Sequence, residues 1–138
     1  MLDIPVIYMG VNAPREHQRI ITRLSANLYW LFTKGEILFE PLVEAMINES
    51  ESSPTPDVML LDNVLDELKV IIEITSTTGV KKDFNKIATL MLDYDIEEGF
   101  TYDYKKFRWR KYKNGVGEII ENPSFCDTIG YDLNDFVK

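Results

Sequence analysis

Apolar positions first adopt a helical period after Pro14. In REHQRIITRLSANLYWLF, Ile20, Ile21, Leu24, Leu28, Leu31 and Phe32 share one face, and Arg15, Arg19, Arg23 and Asn27 the other. That spacing predicts a long amphipathic helix, ended by Lys34-Gly35. Ahead of it, IPVIYMGV is a β-branched and aromatic run expected to form a strand or an extended arm. EILFEPLVEAMI reads as extended chain interrupted at Pro41, and NESESSPTP as a polar loop. DVMLLD (57–62) and KVIIEIT (69–75) are short and rich in β-formers, which predicts two adjacent core strands joined by NVLDEL. After a turn at Ser76–Gly79, VKKDFNKIATLMLDY returns to helical spacing, with Phe84, Ile87, Ala88 and Met91 inward and Lys82, Lys86, Thr89 and Asp93 outward. GFTYDY and FRWRKY read as strands joined at Lys105-Lys106, and Asn114-Gly115 as a hairpin turn into VGEII. The tail is mixed, with one helical turn near its end. This order predicts an α/β or α+β fold, a mixed sheet with a helix on each face.

Composition narrows the class. A chain of 138 residues, 45% hydrophobic and 28% charged, is expected to form one globular domain over residues 1–138. No apolar run is long enough to span a membrane, and the N-terminus lacks the pattern of a secretory signal. The single cysteine, Cys126, has no partner for an intramolecular disulfide, so a cytoplasmic location is the expectation. The net charge of −8 argues against a generic nucleic-acid binder. However, KKFRWRKYK (105–113) concentrates six basic side chains without an acid. A basic strip on an acidic body suits nucleic acid or an acidic partner surface.

The candidate chemistry centres on Asp57 and Glu73. Asp57 opens one predicted strand. Glu73 lies inside the next apolar run, on the face carrying Lys69, Ile71 and Thr75 rather than the one carrying Val70, Ile72 and Ile74. An ionised Glu there is costly unless paired. A divalent cation shared with Asp57 would pair it, and Mg²⁺ needs only one or two protein carboxylates beside water and phosphate oxygens. Such an ion activates water and offsets charge on a scissile phosphate. Lys86, on the following helix, could position the water or offset phosphate charge, with Asp83 near enough to orient it.

Pro56-Asp57, Glu73-Ile74-Thr75-Ser76, Asp83 and Lys86, in this order and spacing, resemble the Uma-two family of candidate restriction endonucleases, a branch of the PD-(D/E)XK nuclease superfamily. Glu16-His17-Gln18 resembles that family's His-led helix start, Tyr102-Asp103 its Val-Asp pair, and IGYDLNDF its usual ending. The resemblance implies a restriction-endonuclease-like mixed sheet of four or five strands flanked by helices. It implies an Mg²⁺ site (Mn²⁺ as a substitute) held by Asp57 and Glu73, and endonuclease activity on DNA. The superfamily's lysine normally stands two residues after the Glu. Thr75 occupies that position here, and the resemblance implies that Lys86 takes the role.

The remaining candidates are weaker in sequence terms. In the basic strip, Phe107 and Trp109 alternate with Lys106, Arg108 and Arg110. That alternation reads either as an edge hairpin charged against aggregation or as a phosphate-binding ribbon, with Tyr112 available to stack on a base. Glu16 suits a helix start and is a further candidate acid. His17, the one histidine, reads as a polar packing or hydrogen-bonding residue, because one His and one distant Cys make no zinc site. Cys126 has no neighbouring base, and no Gly-rich phosphate loop or nucleophile elbow occurs. The expected function is Mg²⁺-dependent hydrolysis of DNA by Asp57, Glu73 and Lys86, with a homodimer as the expected assembly. The alternative is a catalytically silent member of the fold, acting as a homo-oligomeric or protein-binding module.

Overall fold

The computed structural model describes residues 14–45, 47 and 55–138. The expected strand or arm at IPVIYMGV, and most of the NESESSPTP loop, lie outside them. The first helix, α1 (Arg15–Thr33), buries Ile20, Ile21, Leu24, Leu28 and Leu31. It ends where Gly35 turns to φ +76° and the Glu36 N–H returns to the Leu31 carbonyl. Strands β1 (Glu40–Val43), β2 (Val58–Asp62) and β3 (Glu67–Thr75) follow as antiparallel neighbours. Pro41 lies within β1 rather than breaking it. β1 is the edge of the sheet, where a residue without an N–H costs least. Helix α2 (Val80–Tyr94) then crosses to β4 (Glu98–Asp103), which runs parallel to β3. β5 (Arg108–Lys113) and β6 (Gly117–Ile119) complete the sheet as antiparallel strands, in the order β1-β2-β3-β4-β5-β6. The mixed sheet with helices on its two faces matches the expectation. It has six strands where the family resemblance implied four or five.

Alternation along the strands builds two cores. Val58, Leu60, Val70, Ile72, Ile74, Phe100, Tyr102 and Trp109 face α1, together with buried residues of the C-terminal tail. Met59 and Ile71 face α2, which contributes Ile87, Leu90 and Met91. The second helix therefore turns Leu90 inward, whereas Ala88, expected inward, is only half-buried. The α2 face narrows at Gly99, where a Cβ would run into Ile87 and Met91. Absence of a side chain there lets the helix sit close to β4.

The C-terminal tail forms a small hairpin, β7 (Phe125–Cys126) with β8 (Tyr131–Asp132), and a short 3₁₀ turn (Leu133–Phe136). A buried ion pair fixes it. Lys111 Nζ lies 3.0 Å from Glu98 Oε2 and donates to the Phe125 carbonyl at 2.7 Å. Glu98 also accepts from the Asp127 and Thr128 backbone N–H groups. Burial alone would raise the Glu98 carboxyl, but these donors, led by Thr128, hold it below its usual range.

Candidate active site

The register of β2 on β3 brings the two acids together. Val58 pairs with Ile72, so the next step outward sets Asp57 beside Glu73. Asp57 Oδ2 accepts the Ile74 N–H at 2.7 Å, which locks its carboxylate against the end of β3. Glu73 points to the α2 side, where Lys86 Nζ donates to its Oε1 at 3.0 Å. The structure thus brings Asp57, Glu73 and Lys86 together at one place. The Lys86 cation goes to Glu73 rather than to Asp83, which was expected to orient it. Thr75 lies on the same face, its hydroxyl donating to the Ser76 carbonyl. It supplies no cation at the position where a lysine was expected.

The electrostatics of the pair are lopsided. Glu73 is only 6% exposed, and burial pushes its carboxyl up to about 8. The Asp57 charge adds to that rise, and Lys86 offsets only part of it. Asp57 moves the other way. Burial would raise it, but the His17 hydrogen bond and the Ile74 N–H outweigh burial and hold it below its ordinary value. Near neutrality one carboxyl therefore carries the charge while its neighbour retains a proton.

His17 was read as a hydrogen-bonding residue, and the structure supplies its partner. Its Nε2 lies 3.4 Å from Asp57 Oδ2, and its ring meets Tyr104 edge-on. The Asp57 hydrogen bond raises the imidazole above its usual value. Nothing in the sequence links position 17 to position 57; the packing of α1 across the sheet creates that contact. Glu16 is half-buried and pairs with Arg19 at 3.2 Å.

The pair fits a divalent cation by its donor chemistry. Two carboxyls in direct contact, one of them buried and short of compensating positive charge, match the small carboxylate set that Mg²⁺ uses. Among the described residues, no group of three or more His, Cys, Asp or Glu side chains could hold a metal, so other ligands would have to be water or substrate oxygens.

The basic strip divides in two. The alternation into one aromatic and one basic face does not hold. Phe107 lies in the turn before β5, and Lys111 shares the buried side of Trp109. Arg110 donates to both Glu118 oxygens at 2.8 and 2.9 Å and stacks 3.9 Å above the Phe84 ring. Tyr112 packs edge-on against Phe84. Lys106 and Arg108 stay at the surface, and no acid pairs with either among the described residues.

No family model matches the sequence, and no curated protein matches it. A solved structure does match. The fold resembles a crystal structure of "a putative nuclease belonging to DUF820" from Anabaena variabilis ATCC 29413. The two superpose with a TM-score of 0.64 at 14% identity, over 88% of this chain and 80% of that one. The chain shares the fold of that protein. None of its described helices is long and apolar enough to cross a membrane.

Proposed function

We propose that the protein is a divalent-metal-dependent endonuclease of the Uma-two type that hydrolyses phosphodiester bonds in DNA. The observation that carries this reading is the Asp57–Glu73 pair, with Lys86 Nζ 3.0 Å from Glu73 Oε1, on a nuclease-like fold. Asp57 and Glu73 would hold Mg²⁺ or Mn²⁺. The bound ion would supply a water acidified for attack and a charge to offset the phosphate. Asp57, anchored by Ile74 and His17, presents a fixed carboxylate. Glu73 would give up its proton when such an ion binds. Lys86, part-exposed beside Glu73, donates hydrogen bonds toward the attacking water or a phosphate oxygen and so orients the reactants.

Titration calorimetry with Mg²⁺ and Mn²⁺ tests the site. Binding in the wild type that disappears in Asp57→Ala and in Glu73→Gln is the expected result. Binding that survives both changes would refute the assignment. Cleavage of plasmid and single-stranded DNA, with Lys86→Ala as a slow variant, then tests the activity. Thr75, at the superfamily's lysine position, favours a second reading in which the fold is catalytically silent and serves as a homo-oligomeric or protein-binding module. Metal binding without any cleavage, and a mass in solution above 16.0 kDa, would support that second reading.

A further inference from the structure

The turn that links β4 to β5 carries features the fold does not need. Phe107 is 75% exposed at its tip, with φ +57°. A bulky side chain rarely adopts that backbone conformation, and such positions concentrate at ligand-binding sites. The turn is nevertheless firmly held. Asp103 Oδ1 accepts the Lys105 and Lys106 N–H groups at 2.9 and 3.2 Å, and both Asp103 oxygens accept from the Thr77 hydroxyl. The Tyr104 N–H donates to the Thr75 carbonyl at 3.0 Å.

Charge separates this turn from the rest of the basic strip. Arg110, Lys111 and Lys113 are each paired with an acid. Lys105, Lys106 and Arg108 are exposed, and none has an acidic partner among the described residues. Lys105 only overlies its neighbour Tyr104. An exposed aromatic ring therefore sits among three uncommitted cations on a protein of net charge −8.

The turn also lies beside the carboxyl pair. β3 and β4 run parallel, with Glu73 opposite Thr101 and Thr75 opposite Asp103. The turn thus leaves the sheet at the end that holds Asp57 and Glu73, roughly 7 Å further along the strand direction. A chain held at the carboxyl pair and running along the strand direction toward this end of the sheet would meet the turn.

We propose that this turn is a clamp for single-stranded nucleic acid. Phe107 stacks on an unpaired base close to the scissile phosphate, and Lys105, Lys106 and Arg108 hold the flanking phosphates. In an intact duplex both base faces are already stacked, so the ring gains a partner only where a base is unpaired. The location of the scissile phosphate rests on the nuclease reading above; the binding surface does not.

The test is fluorescence anisotropy of the full chain without divalent metal. It uses one labelled DNA oligonucleotide, free and annealed to its complement. Wild type should bind the free strand more tightly than the duplex. Phe107→Ala and Phe107→Leu should each weaken binding to the free strand roughly tenfold, whereas Phe107→Trp restores it. Arg108→Ala should weaken both forms. Circular dichroism of each variant checks the fold, which a surface ring does not support. Equal affinity of Phe107→Ala and wild type, tighter binding to duplex, or no binding to either form would each overturn the clamp. Metal binding in the calorimetric assay reads the nuclease centre separately. Loss of that centre with Phe107-dependent binding intact would leave the clamp standing.

Discussion

Glu73 shows how a single burial decides chemistry. Burial pushes its carboxyl up to about 8 in the folded protein, from an ordinary value of about 4.5. Between those values the native state binds more protons than the unfolded state. This group's contribution to stability is therefore complete below about pH 4.5 and is lost as pH rises through about 8. His17, raised above 6.5, acts in the same direction. Asp57, held low, acts oppositely and only in acid. Glu73→Gln mimics the protonated form. It should flatten the decline, recovering on the order of 2–4 kcal/mol near pH 9 relative to wild type, in urea unfolding without metal. An unchanged pH dependence would mean that Glu73 is ionised throughout. Metal binding by wild type should strengthen as pH rises toward 8 and release about one proton near pH 7, measurable by calorimetry in buffers of different ionisation enthalpy. Phe107 offers a second residue-scale prediction. Phe107→Gly relieves the left-handed backbone and should raise stability by about 1 kcal/mol in thermal unfolding, although the substituted ring is lost from the surface.

Among the elements, α2 decides whether the site assembles. Its apolar spacing was legible in the sequence because a helix buries one stripe and wets the other. The sequence read Lys86 as part of the wet side, yet the packing of α2 on the sheet brings that lysine to Glu73. Gly99 permits the approach. Gly99→Ala places a methyl group against Ile87 and Met91 and should cost about 1–3 kcal/mol by thermal unfolding. By shifting α2 it should also weaken metal binding, and wild-type metal affinity in this variant would separate helix position from site function. The strands of the site were equally readable. KVIIEIT alternates, so Glu73 and Thr75 were placed on the face of Ile71; the structure shows that this face meets α2. The basic strip was misassigned because alternation holds only inside a strand, and β5 begins at Arg108, after Phe107 has already turned.

At the scale of the whole molecule, one buried ion pair joins the sheet to the tail. Glu98 and Lys111 are 1% and 3% exposed at the side chain, on neighbouring strands β4 and β5. Lys111→Met leaves the Glu98 charge without its cation and should cost on the order of 3–5 kcal/mol in urea unfolding. The double variant Glu98→Leu, Lys111→Met should recover part of that loss, since it leaves no buried charge unpaired. If the single and double variants are equally unstable, the tail is held by its apolar contacts instead. Cys126 lies in the same cluster, where burial pushes its thiol upward and leaves it unreactive.

The sequence by itself determined the two helices, the central strands with the faces of β3, and the residue types at the site. Each of these follows from local period and from the cost of placing Glu73 within an apolar strand. Only the tertiary structure decided which partners meet. Asp57 with His17, Lys86 with Glu73 rather than Asp83, and Lys111 with Glu98 are contacts between distant segments. Their formation depends on strand register and on how each helix packs, which are set over the whole sheet and cannot be read from the local period of the chain.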